Sequence, residues 1–116
     1  MSPSKLLHIA YGVALDRMNN RRIDFRFGAV GLRADGKLVT AFNDIAYAPT
    51  WNSHAESRLC RKITPGTVVA VVRVLKSGEW SLAKPCPSCE LCLRRKGVKR
   101  VYYSIANSEY GVLDIH

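Results

Sequence analysis

The chain has 116 residues, 47% of them hydrophobic and 23% charged, with 8 Gly and 5 Pro. That is enough for one domain and too little for two ordinary ones, and it excludes a disordered or collagen-like chain. Lys and Arg number 18 against 9 Asp and Glu, a formal net charge of +9, so the surface attracts phosphate, whether on a nucleotide or on a polynucleotide.

The longest apolar run, Val68 to Val72, is stopped by Arg73, well short of the roughly 18 residues of a membrane span. The opening MSPSKLLHIAYG lacks the basic cluster and cleavage site of an export signal. A cytoplasmic chain with one domain over residues 1–116 is expected, and no membrane partner.

In chain order, residues 5–18 place Leu6, Ile9 and Val13, joined by Leu7 and Ala10, at helical spacing, with Ser4 as the expected cap. After the polar NNRR linker, FRFGAVGL and LVTAFN flank Ala34-Asp35-Gly36-Lys37, which predicts a hairpin. NDIAYAPTWN has no period and reads as a loop lining something. A second helix is expected from Ser53 through HAESRLCRKI, with Pro65-Gly66 as its stop. TVVAVVRVL is apolar without alternation, which predicts a central strand covered on both faces.

Lys76 to Glu79 make a turn, WSLAKP returns toward the middle, and a short helix from about Pro87 to Lys96 ends at Gly97. VKRVYYSI follows as a strand, parallel to the previous one if that helix is the crossover. The remaining NSEYGVLDIH reads as a loop, a short helix or a frayed tail. The order α-β-β-α-β-α-β defines an α/β sheet with helices packed against it.

Three of the four cysteines, Cys86, Cys89 and Cys92, crowd together, and Cys60 is the only long-range partner for any of them. In a reducing compartment that cluster points to metal or reactive thiols. His54-Ala55-Glu56 and, further on, Pro85-Cys86-Pro87-Ser88-Cys89 supply one imidazole and two thiolates. This is a three-ligand zinc set that leaves the fourth position to water, each ligand at the start of a predicted helix, where the dipole favours a thiolate. Glu56 is near enough to take a proton from that water and hand it on.

Other readings of these residues remain. Ser53 and Glu56 also match a capping box. Cys92 could complete a purely structural site, although it and Cys60 are more simply small buried hydrophobes.

With HAE followed by PCPSC in this order, residues 5–106 resemble the zinc-dependent cytidine and deoxycytidylate deaminase superfamily. The resemblance implies a three-layer α-β-α sheet and the roles that go with it: His54, Cys86 and Cys89 as zinc ligands, Glu56 as the proton shuttle, Ala55 with its N–H on the base, and Asn43 on the sugar. Nucleotide deaminases of this kind usually run longer. The resemblance therefore also implies a sheet truncated at its C-terminal end, with an edge that a second copy would cover, giving a homo-oligomer of at least two chains.

The reaction so implied is hydrolytic deamination of cytosine in a free cytidine or deoxycytidine nucleotide or nucleoside. Trp51, Tyr47 and Trp80 are candidates for stacking on the base, and Lys84 for holding a phosphate. The alternatives are a cytosine or adenine deaminase acting on single-stranded DNA or RNA, and a zinc-stapled protein that only binds nucleic acid. Both would use the basic patch Arg94, Arg95, Lys96, Lys99 and Arg100, which the bland reading makes a solvated face.

Overall fold

The computed structural model describes residues 1–15, 25–42, 58–75, 77–85 and 87–115. Its elements are α1 (Pro3–Leu15), β1 (Phe25–Leu32), β2 (Leu38–Phe42), β3 (Val68–Leu75), β4 (Trp80–Ser81), α2 (Pro87–Arg95), β5 (Arg100–Ala106) and β6 (Glu109–Asp114). The strands form one mixed sheet in the order β2-β1-β3-β5-β6, with β4 paired to β3 off that path. β3 and β5 are parallel, as a helical crossover requires, and the other pairs are antiparallel.

β3 is the central strand that its apolar run predicts. Val69 and Val71 face one core with Leu59, Cys60, Ile63, Leu93, Val98 and Val101. Ala70, Val72 and Val74 face a second core with Leu6, Leu7, Ala10 and Ala14 of α1. The sheet is thus sandwiched between α1 on one side and α2 with the segment around Leu59 on the other, the three-layer α/β arrangement that the resemblance implies.

α1 begins earlier than its sequence suggests. The Ser2 hydroxyl, not that of Ser4, accepts the Lys5 N–H at 3.2 Å, and Pro3 occupies the first helical position, where its missing N–H costs nothing. Its buried stripe is Leu6, Leu7, Ala10 and Ala14, and it excludes Val13. The small residues matter because α1 lies almost on the sheet: a Cβ on Gly28 of β1 would sit 2.0 Å from the Ala10 carbonyl oxygen and 2.7 Å from the Ala14 nitrogen.

The β1–β2 hairpin closes where expected. Arg33 and Lys37 exchange a backbone bond at 2.9 Å, the Asp35 carboxylate accepts the Lys37 N–H at 3.1 Å, and Gly36 takes φ 88°. The helical residues Arg58 and Leu59 give way to a turn at Cys60, sooner than the sequence suggests, and Thr64-Pro65-Gly66-Thr67 form a type II turn, Gly66 at φ 85°. α2 ends in a Schellman motif, with Val98 N–H on the Leu93 carbonyl and Gly97 N–H on that of Arg94, both at 3.1 Å.

The reading of the C-terminal segment needs correction. The segment after Ala106 is neither loop nor helix but strand β6, running antiparallel to β5. It extends the sheet at the end where truncation is expected.

Candidate active site

The parallel pair fixes where the site lies. α2 must run back along the sheet to connect β3 with β5, so its N-terminus stands at the C-terminal ends of those strands, the ordinary location of binding sites in α/β sheets. β5 pairs with β3 only from Val68 to Val71. Beyond that point β3 takes β4 as its neighbour, with Arg73 opposite Ser81 and Val74 opposite Trp80. The two neighbours of β3 part here, and residues 82–85 lead from the opening to the start of α2.

Ser104 ties the opening together. Its side chain is fully buried; its hydroxyl accepts the Arg73 N–H at 3.1 Å and donates to the Ser81 carbonyl at 2.6 Å. Its own carbonyl accepts the Ala83 N–H at 2.9 Å. One residue thus satisfies groups from β3, β4 and the following segment, and so sets the path of the chain into α2.

Cys89 is the third residue of α2 and is fully buried. It lies one turn before Leu93, whose side chain belongs to the core on that face. A buried thiol in the first turn, at the positive end of the helix, fits a thiolate ligand to a cation. None of Cys60, Cys89 and Cys92 is in a disulfide. Cys60 is a core residue and Cys92 packs against the same core, in keeping with the reading of both as small hydrophobes. Among the described residues no three His, Cys, Asp or Glu side chains come together. Asn43, Tyr47, Trp51, Ser53, His54, Ala55, Glu56 and Cys86 lie outside the described residues.

The remaining predicted site residues are placed apart. Lys84 is exposed just before α2. Trp80 is on the other side of the sheet from Cys89: it pairs with Val74 and packs with α1, its ring 5.5 Å from that of His8 and 5.6 Å from that of Tyr11. The structure does not bring Trp80 together with Cys89. Sequence reasoning passed over Phe27 and Arg73, opposite one another on β1 and β3 on the face that carries α2, with the guanidinium 5.9 Å from the ring centroid. The signal was a lone Arg in an otherwise apolar central strand.

The basic patch runs from the last turn of α2 into β5, at the far end of the helix from Cys89. Arg94 pairs with Glu90 at 3.3 Å and Arg100 with Asp114 at 2.6 Å. The Tyr102 hydroxyl and then the Asp114 carboxylate push the Arg100 guanidinium still higher above its ordinary range. Arg95, Lys96 and Lys99 are exposed, and Arg94 and Arg95 also complement the negative end of the helix.

The class that this architecture defines is the α/β fold of cytidine deaminases. No protein-family model matches the chain, and no curated protein does. Among solved structures, cytidine deaminase from Burkholderia pseudomallei is similar with a TM-score of 0.70 at 20% identity, over 99% of this chain and 94% of that one. Cytidine deaminase from Mycobacterium leprae gives 0.64 at 21% identity over 99% and 94%. The enzyme from Mycobacterium tuberculosis gives 0.52 at 22% identity over 84% and 82%.

Proposed function

We propose that the chain is a zinc-dependent hydrolase that removes the exocyclic amine of cytosine from a free cytidine or deoxycytidine nucleotide or nucleoside. The observation that carries this reading is His54-Ala55-Glu56 followed by Pro85-Cys86-Pro87-Ser88-Cys89 on a cytidine deaminase fold, with Cys89 buried in the first turn of the crossover helix. His54, Cys86 and Cys89 would hold the ion, which supplies activation of a water near neutral pH.

Glu56 takes a proton from the attacking water and delivers protons to the ring nitrogen and to the leaving amine. Cytosine plus water thereby becomes uracil plus ammonia. Asn43 orients the sugar, the Ala55 N–H meets the base, Trp51 stacks on it, and Lys84 draws a phosphate. Trp80 is left out of this pocket because it faces α1. The chain works in a reducing compartment such as the cytoplasm, where its thiols stay available. Copies associate at least in pairs, using exposed apolar surface on β6 such as Tyr110 and Val112.

The test is deamination of cytidine, deoxycytidine and their phosphates, alongside a cytosine-containing single strand, followed by mass change of the base. Glu56→Gln should keep zinc and lose turnover by a factor of about 10² to 10⁴, while Cys89→Ser should lose zinc and thermal stability together. Neutralising Arg95, Lys96 and Lys99 should leave mononucleotide turnover unchanged. Full zinc retention in a Cys86→Ala, Cys89→Ala double variant would sink the metal assignment. Turnover confined to the strand, and lost with the patch, would replace the free nucleotide by a polynucleotide.

A further inference from the structure

A second cleft, of about 290 Å³, opens on the α1 side of the sheet, lined by His8, Tyr11, Gly78, Trp80, Asn107 and Ser108. Three of its six lining residues are aromatic or imidazole rings. They meet at angles, 62° between His8 and Trp80 and 50° between Tyr11 and Trp80, so they wall a corner and do not stack into one solid slab.

The polar groups beside the rings are held in defined roles. His8 donates from Nδ1 to the Ser4 carbonyl at 2.8 Å, which leaves Nε2 as the acceptor of the neutral ring. Asn107 accepts the Trp80 backbone N–H on Oδ1 at 2.7 Å, which leaves its amide nitrogen with donors to offer. The Tyr11 hydroxyl is turned to the Gly78 carbonyl at 3.4 Å. Ser108, in the β5–β6 turn, is the one non-glycine among the described residues at positive φ, 63°, as a short hairpin turn with a bulge requires.

From this geometry we infer that the cleft is a second binding site, taking a planar nucleobase against the ring surfaces that Trp80, Tyr11 and His8 turn to the cleft, with Asn107 donating to its edge. Ring faces beside one donor and one acceptor match a heteroaromatic base, and stacking accepts any base because each has a π-face. An aromatic corner could also take a quaternary ammonium. The cleft has no carboxylate in its lining, however, and the chain carries +9, so a ligand that brings phosphate is favoured over a cation.

The site stands independently of the deaminase reading, because Trp80 and Cys89 are on opposite faces of the sheet. It nonetheless shares the sheet end of the candidate active site, since the β3–β4 and β5–β6 turns that line it follow the C-terminal ends of the parallel strands. A free nucleotide and a strand both present such a base, and the two sources are separable.

Two Trp are present, so in a Trp51→Phe background Trp80 is the only indole. Its emission is followed while uridine 5′-monophosphate or a uridine octamer is added, probes with no exocyclic amine to remove. Saturable quenching is expected, weakened about tenfold by His8→Ala and by Tyr11→Leu. His8 is exposed, so its variant keeps the fold even should the Tyr11 variant lose it. Quenching by the octamer alone identifies a strand as the source, and quenching by the monophosphate a free nucleotide. No quenching by either probe at millimolar concentration, or quenching that a folded His8→Ala leaves unchanged, overturns the inference.

Discussion

At the scale of single residues, Ser104 shows how one hydroxyl does what a longer strand would otherwise do. Where β3 leaves β5 for β4, the Ser104 hydroxyl accepts the Arg73 N–H and donates to the Ser81 carbonyl, so one side chain serves both strands. Removing it takes away both of these buried hydrogen bonds. Ser104→Ala should therefore lower stability by about 1–3 kcal/mol, read as a shifted urea midpoint with unchanged slope; a shift below about 0.5 kcal/mol would mean that water replaces the hydroxyl. The candidate site is proposed from the sequence because His54, Glu56, Cys86 and Cys89 are chemically distinctive and ordered in the chain, and of the four only Cys89 lies among the described residues. The direction of Trp80 was not legible. In a strand of two residues there is no alternation to read, and only the pairing with Val74 assigns its face.

At the scale of elements, close approach replaces bulk at the α1 contact. A hydrophobicity count favours Val13 over Ala14, yet Ala10 and Ala14 are fully buried, because a helix seated against Gly28 has no room for larger side chains. Gly28→Ala should pry α1 from the sheet, since the atoms met are helix backbone and cannot swing aside. A loss of at least about 3 kcal/mol is expected, the upper end for overpacked cores. An equilibrium unfolding curve matching the unsubstituted chain would mean that the contact is looser than its geometry. The Asp35-Gly36 hairpin, the central β3 and the Gly97 stop could all be read directly, each marked by a local rule of turn, burial or cap. β6 could not. Its side chains alternate only between exposed and half-buried, so it has little hydrophobic contrast, and it exists because β5 offers it a ladder.

At the scale of the whole molecule, the strand order separates local from distant pairings. The outer pairs β1–β2 and β5–β6 are hairpins that close short loops. β3 pairs Phe25 with Leu75 on one side and Val68 with Arg100 on the other, partners far apart along the chain, whose loop closure costs entropy before contacts repay it. The hairpins can therefore form while VVAVVRVL, β-branched and nearly uncharged, still waits for both neighbours. Such a segment invites self-association during folding, and Arg73 is the one charge within it, placed as a gatekeeper. Refolding yield should fall as protein concentration rises, and an Arg73→Val chain should aggregate at lower concentration than the parent. Equal yields across the series would show that the central strand is shielded before it docks. The same strand that anchors both cores is thus, until its neighbours arrive, the part of the chain most exposed to kinetic misfolding.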